Sequence, residues 1–150
     1  MSIKEKVEKD LKEALKENDV FKKEALRFLL SALQNKEIEA RAENKVLEES
    51  EIIELFRKEA KKRMESFTIY QNAKRDDLAS KEKMEAELIL SYLPQEMSDE
   101  ELSNLVDKVI KELNITSSKE MGKVIQEVKK RASFGASASR IAALVKEKLN

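Results

Sequence analysis

The sequence predicts an all-α protein, and three observations carry that prediction. Only two glycines and one proline occur in 150 residues, too few turn formers for a sheet protein. Glu, Lys, Leu and Ala dominate and 40% of the residues are charged, the composition of a helical bundle. Apolar residues recur every three or four positions, the period of one helix face. With 41% hydrophobic residues the chain can close a core, which argues against disorder. The predicted organisation is an N-terminal helical domain of about four helices, residues 1–94, then a small C-terminal three-helix domain, residues 95–150.

Residues 3–17 carry Ile3, Val7, Leu11, Ala14 and Leu15, the stripe of a first helix. Asn18-Asp19 interrupts it, and the Asp19 carboxylate can cap the next helix. That second helix runs from Val20 to about Ala42. It is apolar on more than one face between Ala25 and Leu33, which predicts a central place in the bundle. A polar connection over 43–50 leads to a third helix, roughly 50–73, with Ile52, Phe56, Ala60, Met64, Phe67 and Tyr70 as its stripe. Asp76 or Asp77 is expected to cap a fourth helix that ends at Leu90, Tyr92 and Leu93.

Pro94 disfavours helical geometry at Leu93, and Ser98 with Glu101 reads as a capping box, so the domain boundary is placed here. Tyr92 and Leu93 are expected to anchor the junction by packing. Leu102, Leu105, Val106, Val109, Ile110 and Leu113 define the next helix. Ser117 with Glu120 reads as another capping box, opening a helix with Met121, Val124, Ile125 and Val128 inward. Ser137 is expected to cap the last helix, with Ile141, Leu144, Val145 and Leu149 inward.

Thirty acidic and thirty basic residues cancel, so any nucleic-acid contact must come from a local patch. The absence of cysteine and histidine removes disulfides, thiolate nucleophiles, imidazole bases and the common zinc sites. No apolar run approaches the ~18 residues of a membrane span. The opening MSIKEKVEKD is too charged for a secretory signal and too acidic for a transit peptide. These readings predict a soluble, cytoplasmic protein without membrane contact.

Catalysis has few candidates. Glu48-Glu49, Asp76-Asp77 and Asp99-Glu100-Glu101 all fall at predicted helix starts, where acids complement the macrodipole. Gly122 and Gly135 lie thirteen residues apart, and neither belongs to a phosphate-binding loop pattern. The turn SFGASAS has three serines but no base beside them, and cap and turn preferences explain them. No catalytic residue, metal ligand or cofactor site is assigned.

Binding has better ones. Residues 95–118 hold six acids and two bases, whereas residues 119–150 hold eight bases and three acids. Lys119, Lys123 and Lys130 fall near one helix face; Lys129, Lys130 and Arg131 end that helix, and Arg140, Lys146 and Lys148 lie on the next. Such a face can contact phosphates, although cations near helix ends also offset the dipole. Gly122 within a helix costs ~1 kcal/mol relative to alanine, which suits a place where another helix or a ligand approaches the backbone. The rival basic stretch FRKEAKKRMES reads as a solvated face, because Glu54, Glu59 and Glu65 interleave with its cations.

Four stretches carry a family resemblance: LRFLLSALQNKEIEAR (26–41), EAKKRMESF (59–67), EAELILSYLPQEMSDEEL (85–102) and SSKEMGKVIQEVKK (117–130). YLPQEMSDEEL and MGKVI in this order are the most specific pair. Through them the chain resembles the YqeY-like family, whose members are related to the tail domain of the B subunit of tRNA-dependent amidotransferases. The resemblance implies an N-terminal helical domain followed by a three-helix domain similar to that tail, which helps hold tRNA near the catalytic subunit's active site. Comparable domains occur fused to a glutaminyl-tRNA synthetase. Met121-Gly122-Lys123-Val124 match the family's helix motif. The turn after it departs: members commonly read Gly-basic-Ala-Asp-Gly, where this chain has Phe134-Gly135-Ala136-Ser137-Ala138.

The resemblance implies a non-catalytic tRNA-binding or tRNA-presenting accessory protein. Lys119, Lys123, Lys129, Lys130, Arg131 and Arg140 are its expected phosphate contacts, and Gly122 its point of close approach. An alternative is an interaction module that binds an amidotransferase or aminoacyl-tRNA synthetase subunit through an apolar groove between the domains. Family members are also labelled as carbon–nitrogen ligases with glutamine as amide donor, but neither catalytic region of the amidotransferase has a counterpart here. No cofactor, DNA or membrane partner is expected.

Overall fold

The computed structural model describes all 150 residues as an all-α protein of seven helices and no strands. The chain forms two compact units, Met1–Leu93 and Pro94–Asn150.

In the first unit α1 (Ile3–Glu17) starts at Ser2, whose hydroxyl accepts the Glu5 N–H at 3.2 Å, and stops at Asn18 in the left-handed conformation. Asp19 caps α2 (Val20–Ala42) by accepting the Lys22 N–H at 3.1 Å. α3 (Glu49–Asn72) and α4 (Asp76–Leu90) form the tightest pair, α1 and α2 the next, and α2 touches α3 only marginally. Ile3, Val7, Leu26, Leu29, Leu33, Ile53 and Phe56 make the core between them. The Tyr92 ring meets Phe56 edge-on at 6.4 Å, and its hydroxyl donates to Asp10 at 2.5 Å. Burial and that acceptor both push the Tyr92 phenol's pKa well up. Tyr92 thus fastens the chain's exit from α4 to the core of its own unit.

Three expectations for this unit are corrected. Leu15, placed on the inward stripe, is 46% exposed, and Met64 on α3 is 39% exposed. Beyond Ala60, α3 has α4 as its main neighbour, and two helices cannot enclose a whole stripe. Asp76 and Asp77 are the first residues of α4 rather than its cap; the capping position is Arg75, which pairs with Asp77 at 3.3 Å. The solvated face expected on α3 is partly a buried ion cluster. Glu59 is only 7% exposed, and Arg63 stacks on the Phe28 ring at 4.6 Å while reaching Glu85 at 3.0 Å.

In the second unit Ser98 caps α5 (Asp99–Leu113), accepting the Glu101 N–H at 3.1 Å, and Asn114 ends it at φ 55°. Ser117 does not open the following helix directly. It caps one 3-10 turn, Ser118–Glu120, and α6 (Met121–Ala132) starts from Glu120 without a side-chain cap. Ser137 caps α7 (Ala138–Leu149) by accepting the Arg140 N–H at 3.2 Å. Leu102, Val106, Val109, Val124, Val128, Ile141 and Val145 close the core. Leu113, expected inward, is 42% exposed, because the last turn of α5 runs past that core.

The two glycines differ in role. Gly135 is buried, and a Cβ there would lie 2.9 Å from Met97 Cγ and 3.0 Å from the Ala132 carbonyl oxygen. Its own carbonyl accepts the Met97 N–H at 2.7 Å, so residues just before α5 lie against the turn between α6 and α7. The left-handed position in that turn belongs to Ser133 (φ 53°), and neither glycine has positive φ.

Candidate nucleic-acid interface

The basic residues of the second unit divide by what holds them. Arg131, in the last turn of α6, donates to Glu112 at 2.5 Å and to Glu127 at 3.0 Å, and so clamps α6 to the end of α5. The Glu112 bond leads in raising the Arg131 pKa, and the same contact lowers that of Glu112. Arg140, in the first turn of α7, donates from Nη2 to the Met97 carbonyl at 3.0 Å and to Asp99 at 2.9 Å. Both guanidiniums therefore serve as internal staples. Lys148 likewise reaches Asp107 at 2.7 Å.

The remaining candidates lie on the outer side of α6 and the turn before it. Lys119, Lys129 and Lys130 are exposed and their ammonium groups enter no ion pair. Lys123 is 71% exposed and approaches Glu120 only at 3.9 Å, a surface contact of the kind that contributes little. Gly122 is exposed in the first turn of α6, and nothing stands within 4 Å of where its Cβ would be. Close packing against another helix therefore does not explain it. The backbone of this turn is open to whatever approaches from solvent.

Lys123 and Lys130, two helical turns apart, line one open depression of about 640 Å³. Its other walls are Leu113, Asn114 and Ile115 at the end of α5, and Glu120, Gln126 and Glu127 on α6. The structure thus brings together Lys119, Gly122, Lys123, Lys129 and Lys130 along α6 and its leading turn, and leaves Arg140 outside that set. The sequence pattern leaves Asn114 and Gln126 unmarked and assigns Leu113 to the core, since nothing local relates the end of α5 to the outer face of α6.

No group of three or more acidic side chains is arranged to hold a metal ion. No helix is long and apolar enough to cross a membrane.

Comparison with known proteins places the chain in a family. The chain is 37% identical over 109 residues to the Altered inheritance of mitochondria protein 41, mitochondrial, of Candida glabrata, covering 71% of this chain and 59% of the relative. The protein of the same name from Vanderwaltozyma polyspora is 34% identical, with 71% and 58% covered. That of Saccharomyces cerevisiae is 36% identical over 104 residues, with 69% and 54% covered. The matched stretch is thus less than two thirds of the length of these curated relatives. Their mitochondrial names overturn the expectation of a plainly cytoplasmic protein. That expectation rested on the lack of cysteines and of a membrane-length apolar run and on the charge of the first ten residues, none of which separates one compartment from another. Residues 4–149 match the family described as Yqey-like protein, nearly the whole chain. The chain belongs to the YqeY-like family.

Proposed function

We propose that this protein is a non-catalytic tRNA-binding or tRNA-presenting accessory factor, linked to tRNA-dependent amidation or aminoacylation. The outer side of α6 is its contact surface. One observation carries the reading: Lys119, Lys129 and Lys130 keep their charge unpaired along α6 and its leading turn, and nothing obstructs the Gly122 backbone in the first turn. Lysines in that state are available to phosphates, and an uncovered glycine lets a sugar–phosphate backbone come close. Contacts of this kind recognise the shape and phosphate spacing of a folded RNA. In this reading residues 95–150 act as a three-helix module similar to the amidotransferase tail, attached to a separate helical domain.

The test uses the full chain with total tRNA at low salt. Reversing Lys119, Lys129 and Lys130 to Glu should abolish measurable binding. Reversing Lys58, Lys61 and Lys62, exposed on α3, should leave it nearly unchanged. Equal effects from the two triple variants would refute the assignment to α6.

A second reading, an interaction module for an amidotransferase or synthetase subunit, is favoured by a different feature. The first unit exposes large apolar side chains, with Phe28 at 52%, Ile69 at 66% and Met84 at 51%. Phe28 also lines a cavity of about 200 Å³ with Ala25, Leu29, Leu88 and Ile89. Co-purification that survives nuclease and is lost on Phe28→Ser would support this reading over the first.

A further inference from the structure

Between its two lysines the depression beside α6 offers a lining suited to a base. Its two acids are partly answered from within: Glu127 accepts from Arg131 at 3.0 Å, and Glu120 lies 3.9 Å from Lys123. Lys130 is the one lining cation without a partner. Leu113, 42% exposed, supplies apolar lining together with Ile115. The side-chain amides of Asn114 and Gln126 have no protein partner, and each offers both a donor and an acceptor. An apolar surface flanked by free amides matches a flat heterocycle with donors and acceptors along its edge. The volume, about 640 Å³, leaves room for the attached ribose.

We propose that this depression receives one unstacked nucleobase of a folded RNA, packed on Leu113 and met at its edge by Asn114 and Gln126. Lys130 holds the phosphate beside it. The proposal rests on the RNA-binding reading above and adds a specificity site to it. Recognition of RNA sequence operates mainly on unpaired, splayed bases, because the deep major groove of paired RNA is closed to side chains. The four lysines of α6 and its leading turn then supply affinity, and the amides of the depression supply selection for a single-stranded position.

The experiment compares two hairpin RNAs of equal length, one with a single bulged nucleotide and one fully paired, against the full chain. The wild-type protein should prefer the bulged hairpin by roughly tenfold, the range expected for one amide-to-base contact. The double variant Asn114→Gly with Gln126→Ala should lose that preference while the salt dependence stays unchanged. Asn114 has φ 55°, which glycine adopts freely, and alanine suits the exposed helix position of Gln126, so the variant keeps the fold. Equal affinity of the wild type for both hairpins overturns the base site. So does an unaffected double variant while Lys130→Glu still weakens binding, and in both cases the RNA-binding reading stands. Absence of binding to either hairpin and to tRNA overturns both.

Discussion

Replacing each glycine by alanine should change stability in opposite directions, and the two magnitudes come from what surrounds them. At Gly122 the new methyl meets nothing within 4 Å, so the only effect is relief of glycine's backbone entropy in a helix. That should stabilise by about 0.5–1 kcal/mol. At Gly135 the methyl would sit 2.9 Å from Met97 Cγ and 3.0 Å from the Ala132 carbonyl. Met97 Cγ can turn aside only by leaving its rotamer, and the Ala132 carbonyl belongs to the backbone at the end of α6 and has no side-chain torsion to relieve the contact. Overpacking of this kind costs about 1–3 kcal/mol. Thermal unfolding monitored by far-UV circular dichroism reads both, since 1 kcal/mol moves Tm by about 4–8 °C in a domain of this size. Loss of stability in both variants, or a neutral Gly135→Ala, would refute the reasoning. Gly122→Ala carries a second consequence: the more stable protein should bind tRNA more weakly, because its methyl occupies the approach to the α6 backbone.

Two more outcomes are set by local geometry. Ser133 sits at φ 53° and ψ −118°, so Ser133→Gly should raise stability by about 1 kcal/mol; a loss in urea titration would contradict the strain assigned there. Burial raises the Glu85 pKa against the opposing pull of Arg63, so ionising Glu85 costs the fold. Its contribution is most favourable below the ordinary carboxylate pKa and is lost as pH rises through the raised value. Glu85→Gln should therefore gain stability relative to the native protein as pH rises from the ordinary carboxylate range through the raised value, and a difference that moves the other way would exclude that cause.

What the sequence made legible was the local part of the structure. Ser98, Asp19 and Ser137 are caps, as expected, because capping depends on residues within one turn. The helix stripes of α1, α5 and α6 are likewise in place over most of their length. The errors lie where distant elements decide. Met64 and Leu113 continue their stripes but run beyond the surfaces that would cover them. Glu59 looks like any surface acid until Arg63 is drawn in by Glu82 and Glu85 from α4 and by Phe28 from α2. Gly135 reads as a turn residue, yet its conformation is ordinary and its need is for space against Met97.

The candidate site divides in the same way. A count of cations treats Arg131 and Arg140 as equivalent to Lys119 and Lys130. Their partners Glu112, Met97 and Asp99 lie 19, 43 and 41 residues away in sequence, so their internal role emerges only from the fold. The proposal therefore rests on the lysines that lack such partners, with nothing within 4 Å of a Cβ at Gly122.

The salt dependence of tRNA affinity for the full chain tests the central claim most directly. Four contacts from Lys119, Lys123, Lys129 and Lys130 predict a slope of log affinity against log salt of about −3 to −3.5. That is a loss of roughly 50- to 150-fold between 50 and 200 mM salt. Lys130→Glu should make the slope shallower by about 1. A slope near zero, or one that Lys130→Glu leaves unchanged, would contradict a phosphate-contacting surface on α6.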